Sequence, residues 1–232
     1  MPGQGRQRTR DDGRHWLPSQ GVDPAPLAEL NAECLGYLVM HAAEGGDIES
    51  APPLLSALHA QWAVLPAQAV RRLSAAPFSL FDAGFASAPR WLELRTRGVH
   101  DQSQRLEPPY FDAATARAIT RRMLVYGWHL ARSRPRAACL VFGSTIAAVE
   151  SLAACSLSAL EAAADRNAEC LRPRWSTQVG FWRELLAAAS VGADRRLHEL
   201  LLGGVQRLAA ETLAPHASFQ SLTETRPGRV PL

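Results

Sequence analysis

The stretch LGYLVMHA at 35–42 returns about ninety positions later as LVYGWHLA at 124–131. The echo continues downstream. WAVLPAQAVRRLSA (62–75) answers LAACSLSALEAAAD (152–165), and SAPRWLEL (87–94) answers QVGFWREL (178–185). Such self-similarity restricts the fold more than any local pattern does, because each unit must bury its apolar face against its neighbour. The expected class is all-α: two tandem similar helical units, each with a helix-turn-helix-like element, plus a C-terminal closing helix. The expected bounds are an Arg-rich disordered tail over 1–24, repeat one over 25–110, repeat two over 111–190, a closing helix over 191–214 and a loose tail over 215–232.

Apolar periodicity places the elements. In unit one, Leu27, Leu30, Cys34, Tyr37 and Leu38 share a stripe, which predicts a helix from Pro24 to His41 with Asp23 as cap and Gly45-Gly46 as stop. A short helix over 52–62 follows, then one from Pro66 to just before Pro77 that turns Val70 and Leu73 inward. PFSLF (77–81) reads as an extended piece, and RTRGVHDQSQRLEPP (95–109) as the polar linker between copies. In unit two, Asp112 caps a helix over 113–133 carrying Ile119, Met123, Tyr126 and Leu130 inward. Helices over 136–142, 145–154 and 157–166 come next, and LRPRW (171–175) takes the place of PFSLF. The helix over 177–189 presents Phe181, Trp182, Leu185 and Leu186. The segment 194–213 has no counterpart in unit one. It sets Leu197, Leu200, Leu201, Val205, Leu208 and Leu213 on one broad face, suited to covering the seam between the copies.

Composition removes several chemistries. All 25 basic residues are Arg, so no Lys can form a Schiff base or pair a nucleotide phosphate. Cys34, Cys139, Cys155 and Cys170 form no CxxC and sit in apolar settings, as reduced buried thiols do. Ligands spaced for zinc are missing, so no metal and no cofactor is expected. The opening MPGQGRQRTRDDGR lacks the apolar core of a secretory signal, and no run is long enough to span a membrane. A cytoplasmic protein is the expectation.

One segment has positional content. With Gly143 at a turn and Cys139 as the small residue four positions earlier, Val149 and Leu152 fall where the second helix of a helix-turn-helix packs inward. Between Asp112 and Glu150 there is no acid, while Arg117, Arg121, Arg122, Arg132, Arg134 and Arg136 all occur. That local positive field makes these six the candidate phosphate contacts. The second helix itself offers Thr145, Ile146, Ala147, Glu150 and Ser151 outward, which is poor material for reading bases.

The order of elements resembles the FlhD-like flagellar transcriptional regulator family, here as a tandem duplication. The residues that carry the likeness are Asn31, Leu35, Tyr37 and Leu38, then Leu65-Pro66 through Leu73-Ser74, then Phe78, Leu80 and Phe81. In the second copy they are Leu124 and Tyr126, Ser156 to Ala164, then Leu171 and Trp175. The resemblance implies an all-α regulator that works at promoters with a protein partner, the partner making much of the DNA contact. The doubling departs from the family and implies two subunits of a dimer written in one chain.

Other constellations carry less. His41 and His129 occupy nearly matching places and could meet across a twofold axis, but no further ligand lies at helical spacing, and half-buried histidines near helix ends fit better. Ser144 lacks the glycines of a nucleophile elbow, HELLL (198–202) lacks the second His of a zincin, and Asp165 with Glu169 reads as surface charge. In the pairs Arg90-Trp91, Arg174-Trp175 and Trp182-Arg183, the Trp rings are expected in the core and the Arg side chains outside. Three functions compete. The first is a non-enzymatic regulator acting through a protein partner, with DNA as a second ligand. The second is a scaffold adaptor of a secretion or motility system that binds no nucleic acid. The third is an enzyme with a pocket between the copies, which the missing catalytic signatures disfavour. Self-association is left open by the sequence.

Overall fold

The computed structural model describes residues 23–45, 51–85 and 108–213. The sequence expectations for 1–22, SAPRWLEL, 95–107 and 215–232 fall outside the described residues. Within them the class is all-α, with a single pair of two-residue strands.

Helix α1 (Ala25–Ala43) buries Leu27, Leu30, Asn31, Cys34, Leu35 and Leu38 as one stripe. Asp23 accepts the Ala25 amide hydrogen at 3.0 Å, and Gly45 takes a left-handed φ of 68° just beyond the end. The expected single helix over 52–62 is instead two single turns, α2 (Pro53–Ala57) and α3 (His59–Ala63). The break at Leu58 (φ −122°) still leaves Leu54, Leu55, Leu58 and Trp62 buried. Helix α4 (Ala67–Ser74) starts after Pro66 and buries Ala69 and Leu73. The chain then extends into β1 (Phe81–Asp82), with Phe78, Leu80 and Phe81 all buried.

The long helix α5 (Ala113–Ser133) has the bounds the sequence predicts. Asp112 caps it by accepting the Ala114 and Thr115 amides at 2.9 and 3.0 Å. Helices α6 (Pro135–Phe142), α7 (Ile146–Ala153) and α8 (Leu157–Asn167) follow, then a single 3-10 turn and β2 (Arg172–Pro173). Thr145 caps α7 and Ser156 caps α8 through their hydroxyls. Helix α9 (Val179–Val191) buries Trp182, Leu185, Leu186 and Ala189. Helix α10 (Asp194–Leu213) closes the described chain.

The long helices α1 and α5 each pack on helices that follow them in the chain. Helix α1 packs on α3 and α4; α5 packs on α6, α7 and α8. The sides are joined by β1 and β2, which pair antiparallel with Phe81 opposite Pro173 and Asp82 opposite Arg172. Helix α9 crosses the seam to lie on α3 and α4. There the Trp62 and Trp182 rings sit 5.7 Å apart, and Phe81 bridges from Trp182 (6.3 Å) to Phe111 (6.0 Å). Such offset and edge-on ring contacts add to the burial of large apolar area. A polar clasp fixes the extended piece. The Asn31 side-chain nitrogen donates to the Ser74 and Phe78 carbonyls, and its oxygen accepts the Leu80 amide at 2.9 Å.

Helix α10 buries a narrower stripe than the broad face expected. Leu197, Leu201, Gly204 and Leu208 are buried, whereas Leu200 and Val205 are half-buried, and the Leu213 side chain lies outside the described set. The stripe rests on both sides of the seam: a Cβ added at Gly204 would overlap the Phe78 ring, and Leu208 packs against Gly143. No single helix among the described residues is long and apolar enough to cross a membrane.

Candidate functional site

The six arginines singled out by the sequence divide into two groups. On the long helix, Arg117 pairs with Asp165 at 2.9 Å and Arg121 with Glu161 at 2.5 Å, both acids of α8. Arg122 pairs with Glu33 of α1. The segment is free of acids only along the chain; folding brings three carboxylates to it and offsets half of the positive field. These pairs are exposed, so each contributes little to stability.

The other three lie where α5 meets α6. Arg132 is exposed and holds its guanidinium 4.7 Å from the centre of the Trp128 ring, whose indole N–H donates to the Cys155 carbonyl at 3.0 Å. Arg134 is half-buried at the joint between the two helices. Arg136 is exposed on the first turn of α6. Helices α6 and α7 are joined by three residues, Gly143, Ser144 and Thr145, and their axes turn through 115°. Gly143 adopts φ 58°, which a side chain would strain, and the Ser144 amide closes back on the Cys139 carbonyl at 3.1 Å. The Ser144 hydroxyl donates to the Phe85 carbonyl at 2.6 Å, so the turn is tied to the far side of the seam. Helix α7 presents Ile146, Ala147 and Glu150 outward. Ser151, expected outward, is buried and donates to the Ala147 carbonyl. Its hydroxyl satisfies the helix's own backbone, as mid-helix serines often do.

Behind that turn sits a residue the sequence placed on the wrong side. Arg174 was expected to reach into solvent; its side chain is 4% exposed. Its Nε–H donates to the Ser79 carbonyl at 2.8 Å and its Nη2 to the Phe142 carbonyl at 2.5 Å, with Asp82 3.6 Å away. Its backbone carbonyl accepts the Trp182 indole N–H at 2.7 Å. One guanidinium therefore ties β1, β2 and the end of α6 together, satisfying carbonyls that burial would otherwise leave bare. Burial lowers its pKa, and the nearby charges of Asp82 and Glu211 act the other way. Arginine is the cation suited to this place, since it stays charged where a lysine would lose its proton. Trp175, expected in the core, is half-buried; in the other described pair Trp182 is fully buried and Arg183 is exposed, as expected.

The remaining candidates stay apart from one another. His41 is exposed, not half-buried, and stacks on Tyr37 with centroids 6.1 Å apart; His129 is exposed on α5. Among the described residues no three His, Cys, Asp or Glu side chains gather as metal ligands would. Cys34 is buried and burial pushes its thiol pKa up; Cys139 is raised for the same reason. Both thiols are thus held in the unreactive protonated form. A hollow lined by Phe85, Ala138, Phe142, Ser144, Ala148, Val149 and Leu152 has no space for a water molecule. No family model, no curated protein and no solved structure matches this chain.

Proposed function

We propose that the chain is a non-enzymatic transcriptional regulator in which two FlhD-like units are fused as a built-in dimer and act through a protein partner at DNA. The observation that carries this reading is the order of elements: a long helix, two short helices, a further helix and a short strand follow one another in that order on either side. The two short strands pair antiparallel with each other. The α6–α7 pair, with its three-residue glycine turn and 115° crossing, fits a helix-turn-helix shape.

On this reading α7 does not read bases, because Ile146, Ala147 and Glu150 are its outward side chains. Phosphate contact falls on Arg132 and Arg136, and the partner supplies sequence specificity. The ion pairs of Arg117, Arg121 and Arg122 favour a second reading, a scaffold adaptor without nucleic acid. Binding of labelled genomic fragments at two salt concentrations, with and without a cell extract, separates them. The regulator binds with a salt slope that drops by about 1 for each of Arg132→Ala and Arg136→Ala. The double variant Arg117→Ala/Arg121→Ala leaves that slope nearly unchanged. Absence of salt-sensitive binding in every condition leaves the scaffold.

A further inference from the structure

We draw no further inference here: the strongest candidate, the surface patch where α5 meets the start of α8, with Val125 and Leu157 exposed and Arg132 stacked on Trp128, carries nothing because nothing in the structure shows what covers it.

Discussion

Replacing Arg174 with Met tests whether the seam depends on one buried cation. The substitution keeps an unbranched apolar stem and removes every donor. Two carbonyls, Ser79 and Phe142, lose their partner, and Asp82 (15% side-chain exposure) loses the nearest positive charge. A buried acceptor left bare costs about 1–3 kcal/mol. Breaking a buried ion pair from one side costs about 3–5 kcal/mol. These overlap, and relief of guanidinium desolvation offsets part, so about 3–5 kcal/mol is the expected loss. For a chain of this size that lowers Tm by roughly 8–15 °C. Urea titration at pH 7 followed by tryptophan fluorescence and by circular dichroism reads it directly. A partner variant sharpens the test. Asp82→Asn keeps the acceptor for the Phe85 amide, 3.0 Å away, and removes the charge. In the Arg174→Met background it should recover part of the loss, giving a coupling of about 1 kcal/mol or more. A loss under about 1 kcal/mol for Arg174→Met, or no coupling, would refute the claim that this guanidinium clasps the seam.

Two further outcomes follow from helix ends. Asp112→Ala removes the cap of α5 and the carboxylate that accepts from the Tyr37 hydroxyl, a loss of about 1 kcal/mol at pH 7; the backbone N–H of residue 112 still donates to that hydroxyl. Hydrogen bonds from Thr115, side chain first and then backbone, with help from Tyr37 and Ala114, hold the Asp112 pKa down at about 2 from 3.8. Its folded pKa lies below its unfolded one, so the contribution is complete above about pH 4 and fades as pH falls toward 2. Urea midpoints of the two proteins should converge over that window; a gap that persists at pH 2 would count against the cap. Gly143→Ala places a Cβ at φ 58°, 2.6 Å from Leu208 Cδ2 and 3.2 Å from Arg174 Nη1. The expected loss is about 1–3 kcal/mol by thermal melting, from backbone strain and overpacking together. A neutral result would mean that the turn can move away from α10.

What the sequence disclosed about the fold is what depends on near neighbours. Asp112 and Gly143 mark boundaries because a carboxylate at a helix start and a glycine at a left-handed end act within four residues. The extended pieces at PFSLF and LRPRW announced themselves by proline and aromatic content. The break at Leu58 had no such marker. Leu54, Leu55, Leu58 and Trp62 are spaced as one helix would space them, and only the finished core decides that two turns bury them better than one rod. The width of the α10 stripe is not legible in the sequence for a related reason. Leu200 and Val205 are apolar at helical spacing, yet a helix lying along the seam beside Phe78 and Gly143 buries a stripe and not a face.

The candidate site was harder to read because charge is a property of space, not of sequence order. A run without acids from Ala113 to Val149 suggests a positive field, but Glu33, Glu161 and Asp165 reach it from other helices. Folding thus moves the expected field from the middle of α5 to its junction with α6, at Arg132 and Arg136. Arg174 inverts the usual rule in the same way. Next to Trp175 it looks like a surface residue beside a core one, and nothing in RPRW distinguishes it from Arg172, which is exposed. The distinction arises only when β1 and β2 pair, because the pairing leaves the Ser79 carbonyl facing inward beside the end of α6. If the two units descend from one dimer, that clasp is where their equivalence ends. The β1 side supplies the Ser79 carbonyl and Asp82, and the β2 side supplies both the cation and the Phe142 carbonyl, so the contact has no mirror-image partner in the clasp itself.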